Sequence, residues 1–139
     1  MTYIKKDKRS SRMIIVLLLM LVSTSVFAQW KWVGESSAGF TAYVDIQSIK
    51  KKGNIVHMWG LYDYTTLQTN YNGSKYFSSI HLEEYDCEED TTRALNSSDF
   101  SANMRGGNVV YMTDINETPS RNSPGSLGAE FWKIACGKK

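Results

Sequence analysis

The fold class this sequence predicts is α+β: an antiparallel sheet of five or six strands, one packed C-terminal helix and one intramolecular disulfide. Three observations carry the expectation. From Trp30 to Ile115 the chain breaks into aromatic and β-branched segments separated by Gly, Asn and Ser, with no long helical pattern. Helical spacing arises once, where Leu127, Phe131, Ile134 and Ala135 recur on one face. Two cysteines, Cys87 and Cys136, sit at the end of an extended segment and at the end of that helix. Strands grouped before a single helix, rather than alternating with helices, favour α+β over α/β.

The first element is a leader. Lys5, Lys6, Lys8, Arg9 and Arg12 form a basic head, Met13–Val22 is an apolar run, and Val26-Phe27-Ala28 has small residues at the −3 and −1 positions of a cleavage site. Ten apolar residues are too few to span a bilayer as a helix. The expectation is a cleaved signal peptide over 1–28 and an exported domain over 29–139, with no transmembrane segment after cleavage. Gln29, not a cysteine, follows the cut, so anchoring through a lipobox is not expected. Of 139 residues, 111 remain, enough for one domain with a modest core.

Gln29–Glu35 alternates as a first strand and Phe40–Val44 as a second, with a turn at Ser36–Gly39. Asp45–Ile49 looks like a helical turn, because the Asp45 carboxylate is placed to accept from amides two or three residues on. Lys50, Lys51 and Lys52 then enter a basic turn with Gly53 and Asn54. Ile55–Tyr64 puts Ile55, His57, Trp59 and Leu61 on one face and Val56, Met58, Tyr62 and Tyr64 on the other. Both faces are largely apolar, which places this strand centrally. Thr65–Ser74 reads as a polar loop turning at Asn72-Gly73. Lys75–Asp86 is a long strand carrying Ile80 and Leu82 on one face and Phe77 and Tyr85 on the other. A weaker strand is expected around Arg93–Ser101, and another over Val109–Ile115. Glu117–Pro124 is a loop, and Pro124 suits the first turn of the closing helix because it lacks an amide hydrogen.

Charge narrows the function. Removing five basic residues and Asp7 with the leader leaves 11 basic against 13 acidic residues, a net charge of about −2. Net charge therefore gives no support to a nucleic-acid or anionic-membrane role. An even cysteine count in an exported chain reads as a disulfide; free thiols and an intermolecular bridge are the alternatives. An intramolecular bond closing about 50 residues would stabilise the fold by ~4 kcal/mol in the chain-entropy model.

Catalytic signatures are missing, so no enzyme and no cofactor is expected. Ser126 in Pro124-Gly125-Ser126-Leu127-Gly128 has proline where a nucleophile elbow needs glycine. His57 and His81, with a nearby carboxylate, would suit zinc if their strands were adjacent. Strand side chains alternate between faces, however, so no metal site is expected. The acidic run from Glu83 to Asp90 is read as a solvated edge that discourages sheet-to-sheet pairing. The four tryptophans, Trp30, Trp32, Trp59 and Trp132, are read mainly as core. Lys50, Lys51 and Lys52 are the candidate binding residues, for an acidic protein or a sulfated polysaccharide.

Several blocks occur in a fixed order: Trp32; Tyr43-Val44-Asp45-Ile46-Gln47-Ser48-Ile49; Met58-Trp59-Gly60-Leu61-Tyr62-Asp63-Tyr64; Asp86-Cys87; Gly106-Gly107-Asn108-Val109-Val110; Ser123-Pro124-Gly125-Ser126; and Cys136. Taken together the ordered set resembles the surface-adhesin protein E family of Gram-negative bacteria, over nearly the whole mature chain. The resemblance implies an antiparallel sheet with a C-terminal helix and Cys87 bonded to Cys136. It also implies a non-enzymatic cell-surface adhesin that binds host extracellular-matrix or serum proteins, with a homodimer as one assembly. The family's name-giving member looks like a lipoprotein, whereas this leader lacks the lipidation cysteine. The alternative function is thus a soluble periplasmic envelope protein with a bacterial partner.

Overall fold

The computed structural model describes residues 29–138, and the expected leader lies outside the described residues. The strands are β1 (Trp30–Ser36), β2 (Phe40–Lys52), β3 (Ile55–Thr69), β4 (Lys75–Asp86), β5 (Thr91–Phe100), β6 (Val109–Asp114) and β7 (Ser120–Arg121); α1 (Leu127–Cys136) closes the chain. The six long strands lie in sequence order, β1 to β6, each antiparallel to the next. β7 is a two-residue addition on β5, pairing Thr91 with Arg121 and Thr92 with Ser120. The outer edge of β5 is thus shared by β6 at one end and β7 at the other. Among the described residues no helix is long and apolar enough to cross a membrane.

β3 is third of the six, as its two apolar faces require. On one face Val56 and Met58 join Ala42, Val44 and Tyr85 beneath Phe131 and Ala135 of α1. On the other face Leu61, Ile80 and Phe100 form a second cluster flanked by Trp30, Tyr43 and Trp59, and no helix among the described residues lies above it. Two glycines let α1 come close. A Cβ at Gly60 would lie 2.9 Å from Phe131 Cε2, and one at Gly34 would lie 2.7 Å from Leu127 Cδ2.

The ends of α1 explain its length. Ser126 is the N-cap, its hydroxyl accepting from the Ala129 amide at 3.1 Å. Pro124 lies in the turn before the cap and not in the first helical turn, because Gly125 (φ 76°) must still redirect the chain. At the other end Gly137 is left-handed (φ 66°), and the Lys138 amide reaches the Lys133 carbonyl at 2.8 Å, which satisfies carbonyls the helix leaves open. Cys136 is bonded to Cys87, with Cα atoms 5.6 Å apart. This ties the helix to the end of β4.

Three loop expectations are corrected. Asp45–Ile49 is a wide irregularity inside β2 and not a helical turn: the ladder jumps from Asp45↔Trp59 to Lys50↔His57. Asp45 does accept from the Gln47 amide at 3.0 Å, but Ser48 then holds the chain to the sheet. Its hydroxyl donates to the Asp45 carbonyl at 2.6 Å and accepts from the Trp59 amide at 2.9 Å, replacing the missing ladder partner. Lys50, Lys51 and Lys52 are accordingly the last ladder residues of β2, and the turn proper is Gly53-Asn54. The Thr65–Ser74 loop is shorter than expected, since β3 continues to Thr69 and pairs Gln68 with Tyr76. Within the Glu117–Pro124 loop lies β7.

Candidate binding face

Strand alternation sorts the candidate residues onto two faces. The face under α1 holds a buried polar network. Glu83, 8% exposed, accepts from both the Tyr62 and the Tyr85 hydroxyls at 2.6 Å. Burial first, and the Glu83 charge second, push both phenols well above their ordinary range. The Tyr62 ring stacks on His81 with centroids 4.7 Å apart, and burial pushes the His81 imidazole below its usual value. Nearby, the Ser79 hydroxyl donates to Asp99 at 2.8 Å and lies 3.1 Å from His81 Nε2. The serine here stands between the histidine and the acid. A nucleophilic relay needs the histidine in the middle, and Ser79 is buried with its proton directed to the carboxylate.

The opposite, helix-free face carries the residues that remain available. Along it the register aligns Trp32 with Tyr43, Leu61, Ile80, Ser98 and Met112. A second row aligns Trp30 with Asp45, Trp59, Leu82, Asn96 and Asp114. Trp32 is 58% exposed and Met112 63% exposed. Trp32 is therefore a surface residue and not core, because β1 is the sheet edge and nothing among the described residues packs over its outward row. Trp30, Trp59 and Trp132 are half-buried.

Lys50 and Lys52 stand at one end of this face, with Lys51 between them in register with Val56. Lys50 pairs with His57 and Lys52 with Ile55, and a groove of about 470 Å³ is lined by Lys50, Lys51, Lys52, Ile55, His57 and Glu84. Glu84 accepts from Arg93 at 2.8 and 2.9 Å and sits 3.0 Å from His57 Nε2. Burial alone would raise its carboxyl. The hydrogen bonds from His57 and Arg93 outweigh that and hold it below the usual carboxylate value. With its one carboxylate paired, the groove keeps a positive rim.

The acidic run is solvated only in part: Glu88, Glu89 and Asp90 are exposed in the turn after β4, but the strand residues before them do not lie on a sheet edge. β4 lies between β3 and β5, so Glu83 enters the interior while Glu84 stays on the bare face. The same alternation separates the histidines: His57 faces the groove and His81 faces α1, so they do not share an ion. Among the described residues no cluster of three metal-ligating side chains occurs. Ser126, suggested by the loose elbow pattern, is the helix cap.

The family profile described as surface-adhesin protein E matches residues 30–137, almost the whole described chain. The chain belongs to the surface-adhesin protein E family. Its fold is also that of Haemophilus influenzae protein E, crystal form II, at a TM-score of 0.56 and 13% identity, covering 74% of this chain and 91% of that one. Among curated protein sequences nothing matches. Family membership makes the chain a surface adhesin-like binding module, and the fold likeness agrees with the six-stranded sheet, the C-terminal helix and the Cys87–Cys136 bond.

Proposed function

We propose that residues 1–28 are removed on export and that the domain is a non-enzymatic adhesin whose helix-free sheet face binds extracellular-matrix or serum proteins. One observation carries the reading: α1 covers one face of the sheet, while the other keeps Trp32, Met112 and Val109 exposed around half-buried Trp30, Tyr43 and Trp59. Aromatic residues and methionine of this kind are enriched at protein interfaces, and an uncovered patch is a recurrent mark of a partner site. The groove at Lys50, Lys51 and Lys52 adds a positive rim that steers an acidic partner toward the apolar centre.

The test is localisation joined to binding. Protease shaving of intact cells digests the domain if it is displayed outside. Immobilised matrix and serum proteins then capture the purified protein, and Trp32→Ser or Met112→Ser weakens capture. A second reading, a soluble periplasmic protein with an envelope partner, is favoured by Gln29 standing where a lipoprotein has its lipidated cysteine. Protection in intact cells with release by osmotic shock selects that reading and overturns host adhesion.

A further inference from the structure

We propose that the pocket between Trp30, Trp59 and Arg105 on the helix-free face takes a neutral saccharide unit of a glycan. The inference rests on that face being the binding surface and names the chemistry it recognises. The pocket holds about 460 Å³ and is lined by Trp30, Asp45, Trp59, Asn96, Ser98 and Arg105, among others. That size suits a small ligand, and so does a mostly apolar wall bearing a few placed polar groups.

Its layout is amphipathic in a specific way. Trp30, Asp45 and Trp59 are in register on β1, β2 and β3, so a carboxylate stands between two tryptophans whose backbones are about 10 Å apart by strand spacing. Asp45 spends Oδ1 on the Gln47 amide, which leaves Oδ2 to accept from a ligand. Asn96 donates to Asp114 at 2.9 Å, and its amide oxygen and second hydrogen remain. Sugar rings present C–H faces that lie on indoles and hydroxyl edges that both donate and accept. A carboxylate, an amide and a guanidinium around two indoles match both surfaces.

Arg105 is held in place independently. Met104 (φ 53°) and Arg105 (φ 62°) are consecutive left-handed residues that are not glycine, although Gly106 and Gly107 follow at once. Such positions persist only where their surroundings fix them. Asp63 accepts from the Met104 amide at 2.6 Å and from the Asn103 side chain at 3.1 Å, while Ser78 accepts from the Arg105 amide at 2.9 Å. The guanidinium carbon lies 5.7 Å from the Phe100 ring centroid, over the pocket. The turn thus fixes where the Arg105 side chain leaves the backbone, at the rim of the pocket.

Competing ligands fit less well. Asp45 offsets Arg105 within the pocket and Asp114 stands beside Asn96, so an acidic sugar gains no net attraction there. A proline-rich peptide can stack on tryptophan, but its carbonyls only accept, so they would cover the Asp45 carboxylate without donating to it.

The experiment titrates the protein, expressed as the full chain and purified after export, with neutral oligosaccharides, their sialylated counterparts and a proline-rich peptide, reading tryptophan fluorescence and heat. A neutral oligosaccharide should bind and change the tryptophan emission. Arg105→Gly should weaken it roughly tenfold, the loss of a charge-assisted hydrogen bond, without lowering the melting temperature. Asn96→Ala should weaken it similarly. Absence of neutral-saccharide binding, binding indifferent to both variants, or binding of only the sialylated sugar or the peptide overturns the inference. Matrix-protein capture that survives deglycosylation of the partner, with no saccharide binding, overturns this inference alone. Saccharide binding without any matrix-protein capture overturns host-protein adhesion alone.

Discussion

The indole N–H of Trp132 donates to the backbone carbonyl of Asp86 at 2.9 Å, one residue before Cys87 and one helical turn before Cys136. The helix is therefore joined to the end of β4 by a hydrogen bond and a disulfide side by side. Trp132→Phe should keep the ring packing and lose only the hydrogen bond, at a cost of about 1 kcal/mol. Guanidinium denaturation with the disulfide intact would measure it, and no change would show the bond to be dispensable.

Replacing both Cys87 and Cys136 by Ala should remove up to about 4 kcal/mol, since the bond closes a loop with a sequence separation of 49. The shift in denaturation midpoint between this variant and the parent is the measurement. A loss under 1 kcal/mol would mean that native strain cancels the chain-entropy gain.

Gly60 marks where β3 touches the helix. Gly60→Ala places a methyl 2.9 Å from the Phe131 ring, which must shift within a packed layer. Destabilisation of about 1–3 kcal/mol is expected, with changed chemical shifts at Phe131 in methyl or aromatic NMR. An unchanged spectrum would refute the close packing.

Glu83→Ala should leave the Tyr62 and Tyr85 hydroxyls buried without their acceptor, at roughly 2–4 kcal/mol. Adding Tyr62→Phe and Tyr85→Phe should recover part of that loss, because the orphaned donors go with the acceptor. Purely additive effects would contradict a shared network.

His81 predicts the acid side of the stability curve. Burial lowers its folded-state pKa below the ordinary value near 6.5, while Glu83, Asp99 and Glu117 partly oppose the shift. Below 6.5 the unfolded chain takes up a proton that the folded chain resists, so stability is complete above that pH and declines as pH falls from about 7 toward 5. His81→Gln should flatten this segment of a stability-against-pH profile measured by urea unfolding.

The basic groove predicts a salt-sensitive association. Lys50→Glu with Lys52→Glu should slow capture of an acidic partner several-fold and remove the slowing of association by added salt, with the melting temperature nearly unchanged because both side chains are exposed. Surface plasmon resonance across a salt series separates the two effects.

Much of the architecture was written in local pattern. The two apolar faces of Ile55–Tyr64 required a central strand, and the bounds of Lys75–Asp86 follow from its alternation. Where the expectations failed, the deciding partner was distant. An Asp followed by a Ser three residues on looks alike in a helical turn and in a wide bulge; the Trp59 amide, supplied by the neighbouring strand, selects the bulge. Similarly, six carboxylates in eight residues suggest solvent until β3 and β5 flank the strand and two tyrosines reach Glu83. For Arg105 the adjacent glycines mask the signal, since they draw the expected turn onto themselves. Of the candidate binding face only the lysines were legible, since the tryptophans read mainly as core and Trp32 is exposed only because it stands on the edge strand. Asp45 and Asn96 join it through register, and Arg105 through the turn between β5 and β6.

The divided edge of β5 bears on how such a domain survives secretion. β6 offers six residues of free edge, and β7 caps only two positions further along. At the other margin, β1 is seven residues long and breaks its ladder between Trp32 and Gly34. Neither rim offers a long, flat template for another strand, so polymerisation through backbone pairing is discouraged. A molecule can then display a broad sticky aromatic surface at high local concentration and still remain dispersed, because stickiness and the capacity to grow fibrils reside on different parts of the same sheet.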